Sequence, residues 1–310
     1  MTVEKIIVGE GTEYPLNGLL TLPDDISKPV PAVVMVHGSG PSNMDERVMK
    51  ITPFKDLAEG LAKCGIASIR YDKRTFAHSK KLMKDLGKNM TVKEETIDDA
   101  ILASKLLKED PRILPDGVFI LGHSMGAMLA PRIDAEGADA AGLILMAGTP
   151  YRLEDIVVRQ LKQTSRSGNS LMKWIVGLED KMYSKKFNGL YEMSDEEAKN
   201  KKFAGGITLY YFKEMGQKTA ADYLLENDKP CLIMQGEKDF QVLANDDFKE
   251  FKELLAKRQH TVFKLYPDLN HVFVKAIYSD ILKASKEYGT ERHIGENVID
   301  DISKFIWKNH

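Results

Sequence analysis

Three polar side chains far apart in the chain, Ser124, Asp239 and His271, have the types and surroundings that nucleophilic acyl transfer requires. Ser124 stands in Gly122-His123-Ser124-Met125-Gly126, directly after the apolar run Val118-Phe119-Ile120-Leu121 and before an alanine- and leucine-bearing stretch of helical character. That context predicts a serine on a tight strand-to-helix turn, its Oγ projecting from a sheet. The flanking glycines remove β-carbons that would collide with strand and helix. A serine hydroxyl needs a base, and the base needs an orienting acid. Of the seven histidines, His271 has the best setting, in the polar segment that starts at Pro267, just past an apolar run ending at Tyr266. The acid belongs at the end of a preceding strand, and Gly236-Glu237-Lys238-Asp239 follows Cys231 to Gln235 in that way. Asp239 is the choice; Glu237 is its rival in the same loop, and Asp268 reads as a solvated turn residue.

Such a reaction also requires donors for its oxyanion. The expected pair is the backbone N–H of Met125, at the start of the helix after the nucleophile, and that of Ser39 in His37-Gly38-Ser39-Gly40. Gly40 replaces Ser39 if the loop is shifted by one residue. His37 is expected to orient this loop by hydrogen bonding, and His123 to pack beneath the nucleophile. His78, His260, His293 and His310 show no paired ligand spacing and no companion cysteine cluster, so no metal site is expected.

The elements that must position these residues follow from period and punctuation. Val3 to Val8 and Leu19 to Leu22 read as an opening antiparallel pair, and Pro31 to His37 as a central parallel strand apolar on both faces. Pro53 to Cys64 has helical spacing and stops at Gly65, and Ile66 to Tyr71 is another strand. Thr91 and Glu94 have the spacing of a capping box for a helix running to about Leu107. Strands follow at Val118 to Gly122 and Gly142 to Ala147. The rhythm then breaks and returns with strands at Pro230 to Gly236 and Thr261 to Tyr266, a helix between them from Asp246 to Arg258, and a final helix near Gly295 to Trp307. Eight β runs alternating with helices predict an α/β fold, a mostly parallel eight-stranded sheet covered on both faces. Residues 1–150 and 229–310 would form the core domain. Residues 151–228 would form a helical cap inserted after the sixth strand, above the strand ends where open α/β sheets place ligands.

On these residues the chain resembles an α/β-hydrolase of the bacterial carboxylesterase group that includes cinnamoyl and feruloyl esterases and dienelactone-hydrolase-like proteins. The residues that carry the resemblance are His37 to Gly40, Arg70-Tyr71-Asp72-Lys73-Arg74, Gly122 to Gly126, Gly236 to Asp239 and His271, and it spans nearly the whole chain. The order Ser124, Asp239, His271 is the order of that fold's triad. Many members have Asp-x-Arg-Gly after the fourth strand, where this chain has Asp72-Lys73-Arg74-Thr75. The resemblance implies a serine carboxylesterase working through an acyl-enzyme on small to medium esters, hydroxycinnamoyl or acetyl esters among them, with no cofactor. A thioesterase, a small peptidase or amidase, and a non-catalytic binding protein on the same scaffold are the alternatives.

Composition narrows the setting. The 310 residues are 43% hydrophobic with a net charge of −2, which argues against a nucleic-acid binder. No run of about 18 apolar residues and no leader pattern predict a soluble cytoplasmic protein with no membrane partner. Cys64 and Cys231 read as apolar filler in a reducing compartment. Lys73, Arg74, Lys80, Lys81, Lys84 and Lys88, with Lys181, Lys185 and Lys186, read as solvated loop charge, with attraction of an anionic substrate as the alternative. Trp174, Tyr183, Tyr210, Tyr211 and Phe212, with Met215, are candidates for lining the substrate pocket or for the cap's own small core. A homodimer is neither indicated nor excluded.

Overall fold

Alternating apolar residues along the strands pack both sides of one sheet in this computed structural model, which describes residues 1–167 and 185–310. The strands are β1 (Thr2–Val8), β2 (Leu16–Leu22), β3 (Val30–Val36), β4 (Ala67–Tyr71), β5 (Ile113–His123), β6 (Leu143–Met146), β7 (Cys231–Gly236) and β8 (Thr261–Tyr266). They lie in the order β1-β2-β4-β3-β5-β6-β7-β8. β1 and β2 are antiparallel, β2 is antiparallel to β4, and the remaining pairs are parallel. The sheet is therefore eight-stranded and mostly parallel, as expected from the eight runs.

Val33 and Met35 share a core with Phe54, Leu57 and Leu61 of helix α1 (Pro53–Lys63). Val34 and Val36 point the other way, into a core with Ala100, Ala103 and Leu107 of α2 (Asp98–Glu109) and Leu129 of α3 (Met125–Ile133). This period-of-two split explains why β3 reads as continuously apolar: helices cover both of its faces. Each fully buried branched side chain contributes roughly 1.5–3 kcal/mol, so these two cores hold the strand ends that carry the site.

The expected capping box is only half formed. Glu94 accepts the Thr91 N–H at 2.9 Å, but Thr91 Oγ1 accepts from Lys93 N at 3.2 Å instead of from the third residue on. A π-helical turn, Lys93–Ile97, starts there and runs into α2. Cys64 and Cys231 are free, and burial pushes the Cys231 thiol up to about 12. Between β6 and β7 the described residues form helices, including α4 (Leu153–Ser167) and α5 (Leu209–Met215). No described helix is long and apolar enough to cross a membrane.

Candidate active site

Ser124 joins β5 to α3 with φ 55° and ψ −118°, a conformation a non-glycine residue adopts only under constraint. Its neighbours explain the constraint. A β-carbon at Gly122 would stand 2.1 Å from Gly126 O, and one at Gly126 would stand 2.2 Å from Val36 O. Both glycines are required because strand, turn and helix touch through backbone alone.

Asp239 and His271, the expected acid and base, meet past the ends of β7 and β8. His271 Nδ1 lies 2.7 Å from Asp239 Oδ2. Asp239 Oδ1 accepts from the N–H groups of Gln241 and Val242 at 2.7 and 3.0 Å, and Oδ2 accepts from Gln235 Nε2 at 2.9 Å. A carboxylate fixed on both oxygens holds the imidazole in one orientation, with Nδ1 turned to the carboxylate and Nε2 on the opposite side of the ring. Glu237 and Asp268 are exposed. The β7 end and the base loop are in backbone contact: a β-carbon at Gly236 would stand 2.4 Å from Leu269 O. Ser124 Oγ forms no hydrogen bond with a described residue, and its ring neighbour His123 lies 4.8 Å, centroid to centroid, from His271.

Neither the Ser39 N–H nor the Met125 N–H donates to a described residue, so both are available to an oxyanion. His37 is buried, and its Nε2 donates to Asn43 O at 3.0 Å, which closes the loop that carries Ser39. Burial, with help from the Lys73 and His123 cations, lowers the His37 imidazole to about 4, so the ring is neutral.

Ser39, Ser124 and Met125 open onto a cavity of about 470 Å³. Its walls are mostly apolar and include Leu82, Met90, Met128, Ile156 and Ile207. Tyr211 and Phe212, which also belong to the buried core, line it. Tyr210 does not: one residue back on a helix turns the side chain by about 100°, and its ring packs under Lys199 Nζ at 4.7 Å. Met215 is buried and does not line the cavity. Trp174 and Tyr183 lie outside the described residues.

Lys73 and Arg74 correct the reading of a solvated basic stretch. Lys73 is buried, with Nζ 2.9 Å from both Gly38 O and Glu95 Oε1, and Glu95 accepts the Tyr211 hydroxyl proton. Arg74 is buried against Asp99. Lys80, Lys81, Lys84 and Lys88 are exposed as expected. Sequence reasoning also missed Glu46, Asn270 and Glu287. Asn270 Oδ1 accepts from Val272 and Val274 N–H, and its Nδ2 donates to Glu287 at 2.7 Å, which shapes the His271 loop. Glu46 Oε1 accepts the Gly38 N–H at 2.7 Å. A lone acidic residue in a polar segment carries no local signal that it is buried.

Residues 27–275 match the family described as serine aminopeptidase, S33. Esterase EstD of Thermotoga maritima is 34% identical over 293 residues, 94% of this chain; the chain spans 66% of that protein's length. Among solved structures, Est1E of Butyrivibrio proteoclasticus aligns with a TM-score of 0.60 at 14% identity, over 98% of both chains. The Pyrococcus furiosus esterase Pf2001 aligns with a TM-score of 0.59 at 15% identity, over 99% of this chain and 91% of the other. At such identities these two speak for the fold alone. The family match covers most of the chain and agrees with the sheet order and the strained serine turn: the protein is a member of the serine aminopeptidase S33 family of α/β-hydrolases.

Proposed function

We propose that the protein is a serine carboxylesterase in which Ser124 is the nucleophile, His271 the base and Asp239 the orienting acid. The observation that carries this reading is the 2.7 Å His271–Asp239 pair at the rim that also holds the strained Ser124. His271 takes the Ser124 proton as Oγ attacks the ester carbonyl, and Asp239 stabilises the imidazolium that forms. The N–H groups of Ser39 and Met125 stabilise the oxyanion. The intermediate collapses as imidazolium protonates the departing alcohol, leaving an acyl-serine. Water, deprotonated by the same imidazole, attacks it and releases the acid. No step calls for a cofactor.

The cavity favours an uncharged acyl group. Among its described lining residues Glu95 is the one carboxylate, and it is already paired with Lys73 and Tyr211. An aminopeptidase needs a free anion for the substrate's ammonium group, so a neutral ester suits this pocket better. The esterase name of EstD, which is 34% identical over 293 residues, supports the same reading. In this reading the helices of residues 151–228 act as a cap whose inner side forms the acyl pocket.

Ser124→Ala is expected to abolish hydrolysis of p-nitrophenyl esters and labelling by a fluorophosphonate while leaving the circular dichroism spectrum unchanged. Undiminished labelling of the variant would remove Ser124 from the mechanism. A graded panel of acetyl, butyryl, octanoyl and feruloyl esters then identifies the acyl preference.

A further inference from the structure

Three loops must keep a fixed spacing for the proposed chemistry: the one carrying Ser39, the turn carrying Ser124 and the one carrying His271. Two buried side chains touch all three. Glu46 Oε1 accepts the Gly38 N–H at 2.7 Å, and Glu46 Oε2 lies 3.0 Å from His123 Nδ1. His123 Nε2 lies 2.9 Å from the backbone oxygen of His271. A carbonyl oxygen only accepts, so Nε2 carries a proton; a carboxylate faces Nδ1, so a proton belongs there too. With protons on both nitrogens the ring is an imidazolium and the contact an ion pair, although the Nδ1–Oε2 approach is not aligned as a hydrogen bond.

We propose that the Glu46–His123 pair is a positioning device that locks the oxyanion loop and the base loop to the nucleophile turn. The inference rests on the esterase reading. Burial alone would raise the Glu46 carboxyl and lower the His123 imidazolium. The facing charge outweighs burial, leaving Glu46 below and His123 above its ordinary value. The other titratable groups facing the pair are His37 and Lys73 on the oxyanion side and Asp239 and His271 on the base side. Glu46 itself holds φ 48°, a left-handed conformation in the turn closed by its N–H to Asn43 O at 2.9 Å. That carbonyl also receives His37 Nε2 at 3.0 Å, so the turn presenting Glu46 and the loop presenting Ser39 are one unit. Neither residue touches the reacting atoms. Each acts by fixing where the donors and the base sit, and displacing such groups by about 1 Å costs roughly 100-fold in rate.

The test compares Glu46→Ala with Glu46→Gln, using p-nitrophenyl butyrate and active sites counted by fluorophosphonate titration. Glu46→Ala removes the bridge, and kcat per titrated site is expected to fall about 10- to 100-fold with KM changed by less than roughly threefold. Glu46→Gln keeps an acceptor for Gly38 and a donor for a neutral His123, and turnover is expected within roughly fivefold of the parent. A purely structural role would lower the melting temperature and leave kcat per titrated site unchanged. A Glu46→Ala value within about twofold of the parent, or a Glu46→Gln value as low as that of Glu46→Ala, overturns the proposal. A readout without turnover covers an alanine variant that fails to fold: nitrogen NMR of the 15N-histidine-labelled parent near pH 7. The His123 signal, assigned by its loss in His123→Asn, is expected to report protons on both nitrogens, and a singly protonated ring overturns the pair. If the parent shows no Ser124-dependent turnover, the esterase reading fails while the NMR result still decides the ion pair.

Discussion

His37 shows how burial sets a charge state and, through it, stability. Its imidazole is held near 4 in the folded chain against 6.5 when free, chiefly by burial. On acidification the unfolded chain takes up the proton first, so stability is lost as the pH falls from about 6.5 towards about 4. A shift of this size corresponds to about 3 kcal/mol over the whole window. The Glu46–His123 pair adds no slope between 4.5 and 6.5. Its carboxyl is lowered, so that contribution is present above 4.5; its imidazole is raised, so that contribution is full below 6.5 and fades as the pH rises through the folded value. Urea unfolding of the parent and of His37→Asn, each at several pH values across this window, is expected to give a shallower acid slope for the variant. Coincident slopes would mean that His37 is not the neutral buried group described.

At the scale of elements, the nucleophile turn is a contact between backbones. Gly126, on the first turn of α3, sits against Val36 O and His37 O at the end of β3. Gly126→Ala therefore forces helix and strand apart, and no flexible side chain can absorb the shift. Overpacking of this kind costs about 1–3 kcal/mol, and the displaced Met125 N–H should lower kcat as well. An unchanged urea midpoint together with unchanged kcat would contradict the close approach. The Lys73–Glu95–Tyr211 chain is a second link between elements, tying the loop that carries Ser39, at Gly38 O, to α5 between β6 and β7. Burial, reinforced by Glu95, raises the Tyr211 hydroxyl well above its ordinary value, so it remains a donor at any working pH.

For the molecule as a whole, the strand ends carry the proposed reacting groups, and the segment between β6 and β7 supplies much of the wall around them. The cavity of about 470 Å³ falls within the roughly 300–1,000 Å³ typical of small-molecule sites. Ile156 of α4 lines it and is nearly fully buried. Ile156→Trp is expected to lower kcat/KM for an octanoyl ester by about 10-fold or more while changing that for an acetyl ester by less than roughly threefold, because lost pocket volume is felt only by a long chain. Equal effects on both esters would place the acyl chain elsewhere.

Much of this was legible in the chain. The eight β runs, the glycine-flanked Ser124, and Asp239 and His271 after their strands follow from local rules: apolar period, glycine geometry and the position of loops past strand ends. Local spacing could not decide which polar residues leave solvent. Lys73 and Lys80 look alike in sequence, yet one is buried between Gly38 O and Glu95 and the other is exposed. Glu46 and Asp268 are both loop acids, and only Glu46 meets an imidazole. A charge stays buried only where a partner from a distant segment offsets its desolvation, and such partners exist only once the sheet has brought those segments together. The chain alone determined the fold and where the proposed nucleophile, base and acid are carried. Tertiary structure decided which side chains hold them in place.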